Sequence, residues 1–306
     1  TGVLDDHWGA RMVIDGTKIK SVNGNSECAV LYAGSDINIK NVTHVGGATL
    51  LGIRTDPATL TGRVVIDNVT INATSTAVGY YSIFGMSSTA TINATSDVMT
   101  VDPSLPDYVS ISNVGITANS GKFVSVYRLP IINLTYKDIG ELFARDIKSN
   151  VALVGVLVYN SGFAKKTTSK ITLENIDFVG GTSLYLTATA SGMASTSKLN
   201  IVLKNTQNGS LRLNPNIINS VTLQGGSNGS IAIENGDAWT VSSAVVGQNV
   251  TMTGGSVNAN IVGAAFFNCM FTGAYTAFPA AANVTLIGCA KTVAQPNLPT
   301  NITSNI

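Results

Sequence analysis

One short arrangement of apolar and polar positions returns along the chain: apolar, any residue, apolar, any residue, then Asn or Gly. It reads Met12-Val13-Ile14-Asp15-Gly16, Ile37-Asn38-Ile39-Lys40-Asn41, Val64-Val65-Ile66-Asp67-Asn68, Val109-Ser110-Ile111-Ser112-Asn113, Ile171-Thr172-Leu173-Glu174-Asn175, Ile201-Val202-Leu203-Lys204-Asn205, Ile231-Ala232-Ile233-Glu234-Asn235, Val250-Thr251-Met252-Thr253-Gly254 and Val284-Thr285-Leu286-Ile287-Gly288. Alternate side chains of a strand share a face, so each copy predicts a short strand with one buried side. The closing Asn or Gly tolerates a left-handed backbone and stops it. Gaps between neighbouring stops include 25, 27, 30, 30 and 19 residues, which suggests turns of one winding, as in a solenoid.

A closer echo supports the repeat. Thr70-Ile71-Asn72-Ala73-Thr74-Ser75 returns as Thr91-Ile92-Asn93-Ala94-Thr95-Ser96, a shift of 21 residues. The best helical candidate is residues 136–147, where Ile139, Leu142, Phe143 and Ile147 could share a helical face, although Gly140 weakens it. Otherwise the chain reads as all β, and the spacing favours a parallel β-helix. If Asn41, Asn68, Asn113, Asn175, Asn205 and Asn235 occupy equivalent corners, their amides can hydrogen-bond along the stack and satisfy buried polar groups at the bend. Asn also ends strands in other β folds.

Composition narrows the partners. The 306 residues are 44% hydrophobic and only 11% charged, with net charge +1, against roughly 25% charged in an ordinary soluble domain. Near-neutral charge argues against a nucleic-acid partner, whose phosphates call for clustered Lys and Arg. No apolar run reaches the roughly 18 residues of a membrane-spanning helix, so no membrane insertion is expected. Thr1 reads as the residue left by Met removal or as a boundary. Cys28, Cys269 and Cys289 are odd in number and lack metal-site spacing, so they read as small buried hydrophobes rather than a disulfide framework.

The chain divides into residues 1–237, read as β-helix coils, and residues 238–306, a charge-poor β region in which Lys291 alone is charged. There Phe266, Phe267, Phe271, Tyr275 and Phe278 crowd together. Charge depletion with aromatic enrichment marks the centre of a subunit interface, so this region is expected to join copies of the chain, the competing reading being the end of one large core. The tail from Gln295 reads as an extended peptide.

With the strand-plus-Asn phrases at Asn41, Asn68, Asn113 and Asn175, the Thr-Ile-Asn-Ala-Thr-Ser echo and the nearly uncharged stretch after Ala238, the chain resembles a bacteriophage tailspike or tail-fibre shaft. The resemblance spans most of the chain, is general in kind and rests on no diagnostic motif. It implies a right-handed parallel β-helix assembled as a homotrimer on the virion, which binds and in many members cleaves a bacterial surface glycan. Pectate-lyase-like enzymes and secreted adhesins share the same coil grammar, and a particle-binding module is not recognisable at the N-terminus.

Candidate chemistry follows from the phrases. The residue before each corner points outward, so Asp15, Lys40, Asp67, Ser112, Glu174, Lys204, Glu234, Thr253 and Ile287 would form a stripe. Lys40, Asp67, Lys204 and Glu234, with Trp239 as a stacking ring, are the glycan-binding candidates, because sugar hydroxyls want alternating donors and acceptors. A stripe of this kind is also what a wet face looks like. Glycoside hydrolysis needs two carboxyls about 5 to 9.5 Å apart, for which the candidates are Asp138 with Glu141 and Glu174 with Asp177. A hydrolase is favoured over a lyase, since few basic residues are present to neutralise uronates. His7 and His44 lie far apart without ligand spacing, so no metal is expected, and no motif calls for a cofactor. The expectation is a receptor-binding protein; the alternatives are a secreted monomeric lyase or hydrolase and a non-enzymatic adhesin or virion appendage.

Overall fold

Alternating apolar residues need a second apolar surface to pack against, and a strand that ends in a left-handed residue turns toward one. The computed structural model describes residues 4–6, 10–20, 27–31, 34–45, 49–55, 63–73, 81–88, 108–118, 124–130, 141–149, 153–159, 170–178, 183–188, 199–215, 218–233, 245–294 and 297. Among them the chain is all β, with no α-helix and one short 3₁₀ turn at Ala281–Asn283.

Two long parallel sheets hold nearly every strand. One runs through Ala10–Asp15, Gly34–Val45, Arg63–Ala73, Tyr108–Ala118, Glu141–Ser149, Lys170–Phe178, Leu199–Lys204, Ile218–Gln224, Val245–Gln248, Ala264–Phe267 and Val284–Ile287. The other starts at Leu4–Asp6 and ends at Ala290–Lys291, taking in Gln207–Leu213, Ser227–Ile233, Thr251–Met252 and Met270–Phe271 late in the chain. Successive strands go alternately to the two sheets, so each repeat adds one rung to both. Such connectivity is compatible with a parallel β-helix.

In the first sheet the phrase sets the register. Ile14 pairs with Ile39, Ile39 with Ile66 and Ile66 with Ile111, and Leu173 pairs with Leu203. These side chains are buried, so the core is made of columns of like residues. The stop residue adopts φ of 49 to 54° at Asn41, Asn68, Asn113, Asp146, Asn175, Asn205, Asn249 and Asn268, and 65 to 66° at Gly16, Gly225 and Gly288. An apolar residue commonly follows the bend and returns to the interior, as do Val42, Val69, Val114, Ile147 and Ile176.

Three expectations are corrected. Residues 141–149 of the helical candidate form the strand Glu141–Ser149, parallel to Tyr108–Ala118 and Lys170–Phe178. Leu142-Phe143-Ala144-Arg145-Asp146 is another copy of the phrase with Asp as its stop, and matched neighbours on both sides decide a segment that fits periods of 2 and 3.6 alike. The phrases at Ile231 and Val250 belong to the second sheet, and Gly254, with φ of 102°, is not one of the regular bends. Thirdly, the aromatic cluster lies inside. Phe266, Phe271, Tyr275 and Phe278 are buried and pack on one another with ring centroids 5.6 to 6.1 Å apart, most of them edge to face. Gly247 makes room for them, since a Cβ there would meet Cδ1 of Phe266 at 2.6 Å.

Candidate outer column

A residue just before each bend of the first sheet points outward, and the register stacks these residues into one column. Asp15 pairs with Lys40, Lys40 with Asp67 and Asp67 with Ser112. The line continues through Arg145, Glu174, Lys204, Gln224, Gln248, Phe267 and Ile287. Asp15, Lys40, Asp67, Ser112, Glu174, Lys204 and Ile287 of the anticipated stripe are thus brought together. Lys204 is followed by Gln224 rather than Glu234, because the Ile231 phrase lies in the other sheet, and Thr253 is displaced for the same reason. Glu234 and Trp239 lie outside the described residues.

The bend residues form a second column beside the first. Asn41 Nδ2 donates to Asp15 Oδ1 at 2.7 Å, Asn68 Nδ2 to Asn41 Oδ1 at 2.7 Å, and Asn175 Nδ2 to Asp146 Oδ1 at 3.0 Å. Asn113 crosses to the first column and donates to Asp67 Oδ1 at 2.8 Å. The amide ladder is therefore present in these repeats, but on an exposed edge rather than at a buried one. It yields to glycine where the lower amide takes the space: Asn205 Oδ1 stands where a Cβ of Gly225 would sit, and Asn268 Oδ1 does the same for Gly288. Asn235 lies outside the described residues.

Asp67 is the best-furnished carboxylate of the column. Ser112 Oγ donates to its Oδ1 at 2.7 Å alongside Asn113. The Ser112 hydroxyl first, then the Asn113 amide, the Asn68 backbone N–H and the Lys40 charge hold its carboxyl below the usual carboxylate range. Asp67 therefore acts as an acceptor and not as a proton donor. Arg145 Nε lies 3.7 Å from Asp146 Oδ2 on the neighbouring bend.

The carboxylate pairs proposed for catalysis fare differently. Glu174 stands in the column between Arg145 and Lys204, while Asp177 follows the bend at Asn175, in register with Lys148. The two residues are on opposite sides of that bend. Glu141 begins a strand, in register with Tyr108 and Lys170 rather than on a helical turn with Asp138, and Asp138 lies outside the described residues. Arg145, Asp146, Gln224 and Gln248 were missed. Admitting Asp as a stop finds the first two, and Val221-Thr222-Leu223-Gln224-Gly225 fits the phrase as it stands.

His44, far from this edge, is buried between Ile19 and Ile71 in the register, and neither ring nitrogen has a hydrogen-bond partner. Burial pushes it down to about 4. Among the described residues no group of three or more His, Cys, Asp or Glu is placed to hold a metal ion, and no helix is long and apolar enough to cross a membrane. No family model, curated protein or solved structure matches the chain.

Proposed function

We propose that this chain is a right-handed parallel β-helix acting as a receptor-binding protein of the phage tailspike or tail-fibre kind, which recognises bacterial surface polysaccharide as a homotrimer. One observation carries the reading: the outward column from Asp15 to Lys204, where acids, bases and a hydroxyl alternate beside a row of amides. Parallel strands stack about 4.8 Å apart. Such a line of regularly spaced donors and acceptors suits the hydroxyls of a neutral or lightly charged glycan.

Binding is favoured over cleavage. Hydrolysis needs one carboxyl that keeps its proton near neutral pH, and the best-furnished carboxylate, Asp67, is held ionised by its partners. The homotrimer is supported by the single charge in residues 238–306 and by the exposed Val262, Met270, Ile287 and Val293, all in the last repeats. A virion, or a secreted protein outside the cell, is the corresponding setting.

The test is binding of the purified chain to a panel of bacterial surface polysaccharides, with products assayed in parallel. The expected result is binding to one or a few of them, weakened about tenfold by Lys40→Ala or Lys204→Ala, the loss of one charge-assisted hydrogen bond. Binding to none, or variants as tight as the parent, would overturn the assignment. Release of new reducing ends that disappears in Glu174→Gln or Asp138→Asn would move it to a depolymerase. Light scattering that gives a monomer at micromolar concentration would remove the trimer.

A further inference from the structure

The interior position just after the bend is Val250, Cys269 and Cys289 in the last three repeats, and the two cysteines stand on adjacent rungs. Phe267 pairs with Ile287 before the bend, Met270 pairs with Ala290 after it, and the Ala290 N–H donates to the Cys269 carbonyl at 3.0 Å. That register puts the two Cα atoms about one strand spacing apart, roughly 4.8 Å, inside the range of about 4.4 to 6.8 Å that a disulfide spans. Both side chains are buried free thiols that turn toward carbonyls of the Ala264–Phe267 strand: Cys269 Sγ lies 3.4 Å from the Phe267 oxygen and Cys289 Sγ 3.3 Å from the Phe266 oxygen. The sulfurs are also within hydrogen-bond reach of each other.

We propose that Cys269 and Cys289 form an intrachain disulfide when the protein meets a disulfide oxidant, locking the last rung onto the one before it. A Cys289 thiolate attacks one sulfur of a small-molecule disulfide and expels one thiolate. Cys269, as thiolate, then attacks Cys289 Sγ and expels the second. The protein gives up two electrons and two protons, and the oxidant becomes two thiols. Cys289 is the better first nucleophile, because the Cys269 thiol donates to its sulfur and lowers it to about 7. The place suits a lock: among the described residues, Val284–Ile287 and Ala290–Lys291 have a partner strand on one side only, and end rungs open first. An extracellular medium permits such a bond.

Intact mass after treating the folded chain with hydroxyethyl disulfide is the direct test. The expected product is lighter by two hydrogens, and chymotryptic cleavage at Phe271, Tyr275 and Phe278 yields a linked pair of peptides carrying Cys269 and Cys289. Cys28→Ser keeps this product, whereas Cys269→Ser and Cys289→Ser each stop at one mixed adduct. Lys291 is the sole tryptic site after Arg212, so trypsin reports opening of the last rung. Oxidation should slow cleavage there by about tenfold or more. An unchanged mass, stable mixed adducts on both cysteines, or a product that needs Cys28 would overturn the proposal.

Discussion

Up to Lys204 the outward position before the bend is held by Asp15, Lys40, Asp67, Ser112, Arg145 and Glu174; beyond it stand Gln224, Gln248, Phe267 and Ile287. The repeat shortens at the same place. Successive members of the column are 25, 27, 45, 33, 29 and 30 residues apart before Lys204, and 20, 24, 19 and 20 after it. In five of the longer repeats the strand continues past the bend, as in Val42 to Val45, whereas in the short ones Asn205, Gly225 and Asn268 are followed within two residues by a strand of the other sheet. Inside, columns of Ile, Leu and Val give way to interlocked rings, made possible where Gly247 and other glycines let backbone or ring come close. The same winding can therefore be held by charge and amide outside with aliphatic packing inside, or by short rungs around an aromatic centre.

The largest test of that contrast is Phe271→Ala. Phe271 is fully buried and touches Phe266, Tyr275 and Phe278, so the cavity should cost about 3–5 kcal/mol. Urea titration followed by hydrogen exchange should show protection lost from residues 245–291 and kept in strands such as Gly34–Val45. Equal loss in both regions would mean that they form one cooperative unit.

Acid should act on the other end. His44 is neutral and unpartnered in the fold, with its pKa lowered from 6.5 to about 4 by burial. The unfolded chain binds a proton near pH 6.5 and the folded one only near pH 4, so stability is complete above the first value and falls as pH drops toward the second. The loss approaches about 3 kcal/mol. Lys18 and Lys20, on the strand that flanks His44, add positive charge to the same edge. Hydrogen exchange at pH 4.5 should find opening first at residues 18–20, 42–45 and 69–72, and His44→Leu should flatten the pH dependence. Opening that begins instead in the aromatic repeats would reverse the comparison.

Much of the fold was legible because alternation of period 2 and a left-handed stop are both local properties. Ile37, Ile39 and Asn41 announce their places without reference to any other strand. What escaped depended on neighbours. The Leu142 phrase needed matched partners to outvote a helical period, and the Ile231 phrase could be placed only by knowing which sheet received it. The alternating column was readable as far as the stops were, whereas the roles within it were not: Asp67 depends on Ser112 and Asn113, 45 and 46 residues away. The rings after Gly247 read as an interface from composition, since a sequence does not say whether a low-charge surface faces inward or toward another chain.

The smallest expected effect concerns the device that both regions share. Asn68 in the long repeats and Asn268 in the short ones adopt φ of 51 and 52°, a conformation that costs a residue with an ordinary Cβ about 1–2 kcal/mol. Asn→Gly at either site removes the amide but keeps the backbone freedom, so the difference between the Ala and Gly variants isolates the bend itself. That difference should be about 1 kcal/mol at both positions, measured by denaturant midpoint. Asn68→Gly should lose a few tenths more than Asn268→Gly if the exposed bond from Asn68 to Asn41 contributes at all. An Ala penalty confined to one position would show that the bend is enforced by what surrounds it there. The common left-handed corner would then no longer be the element on which two different kinds of rung are built.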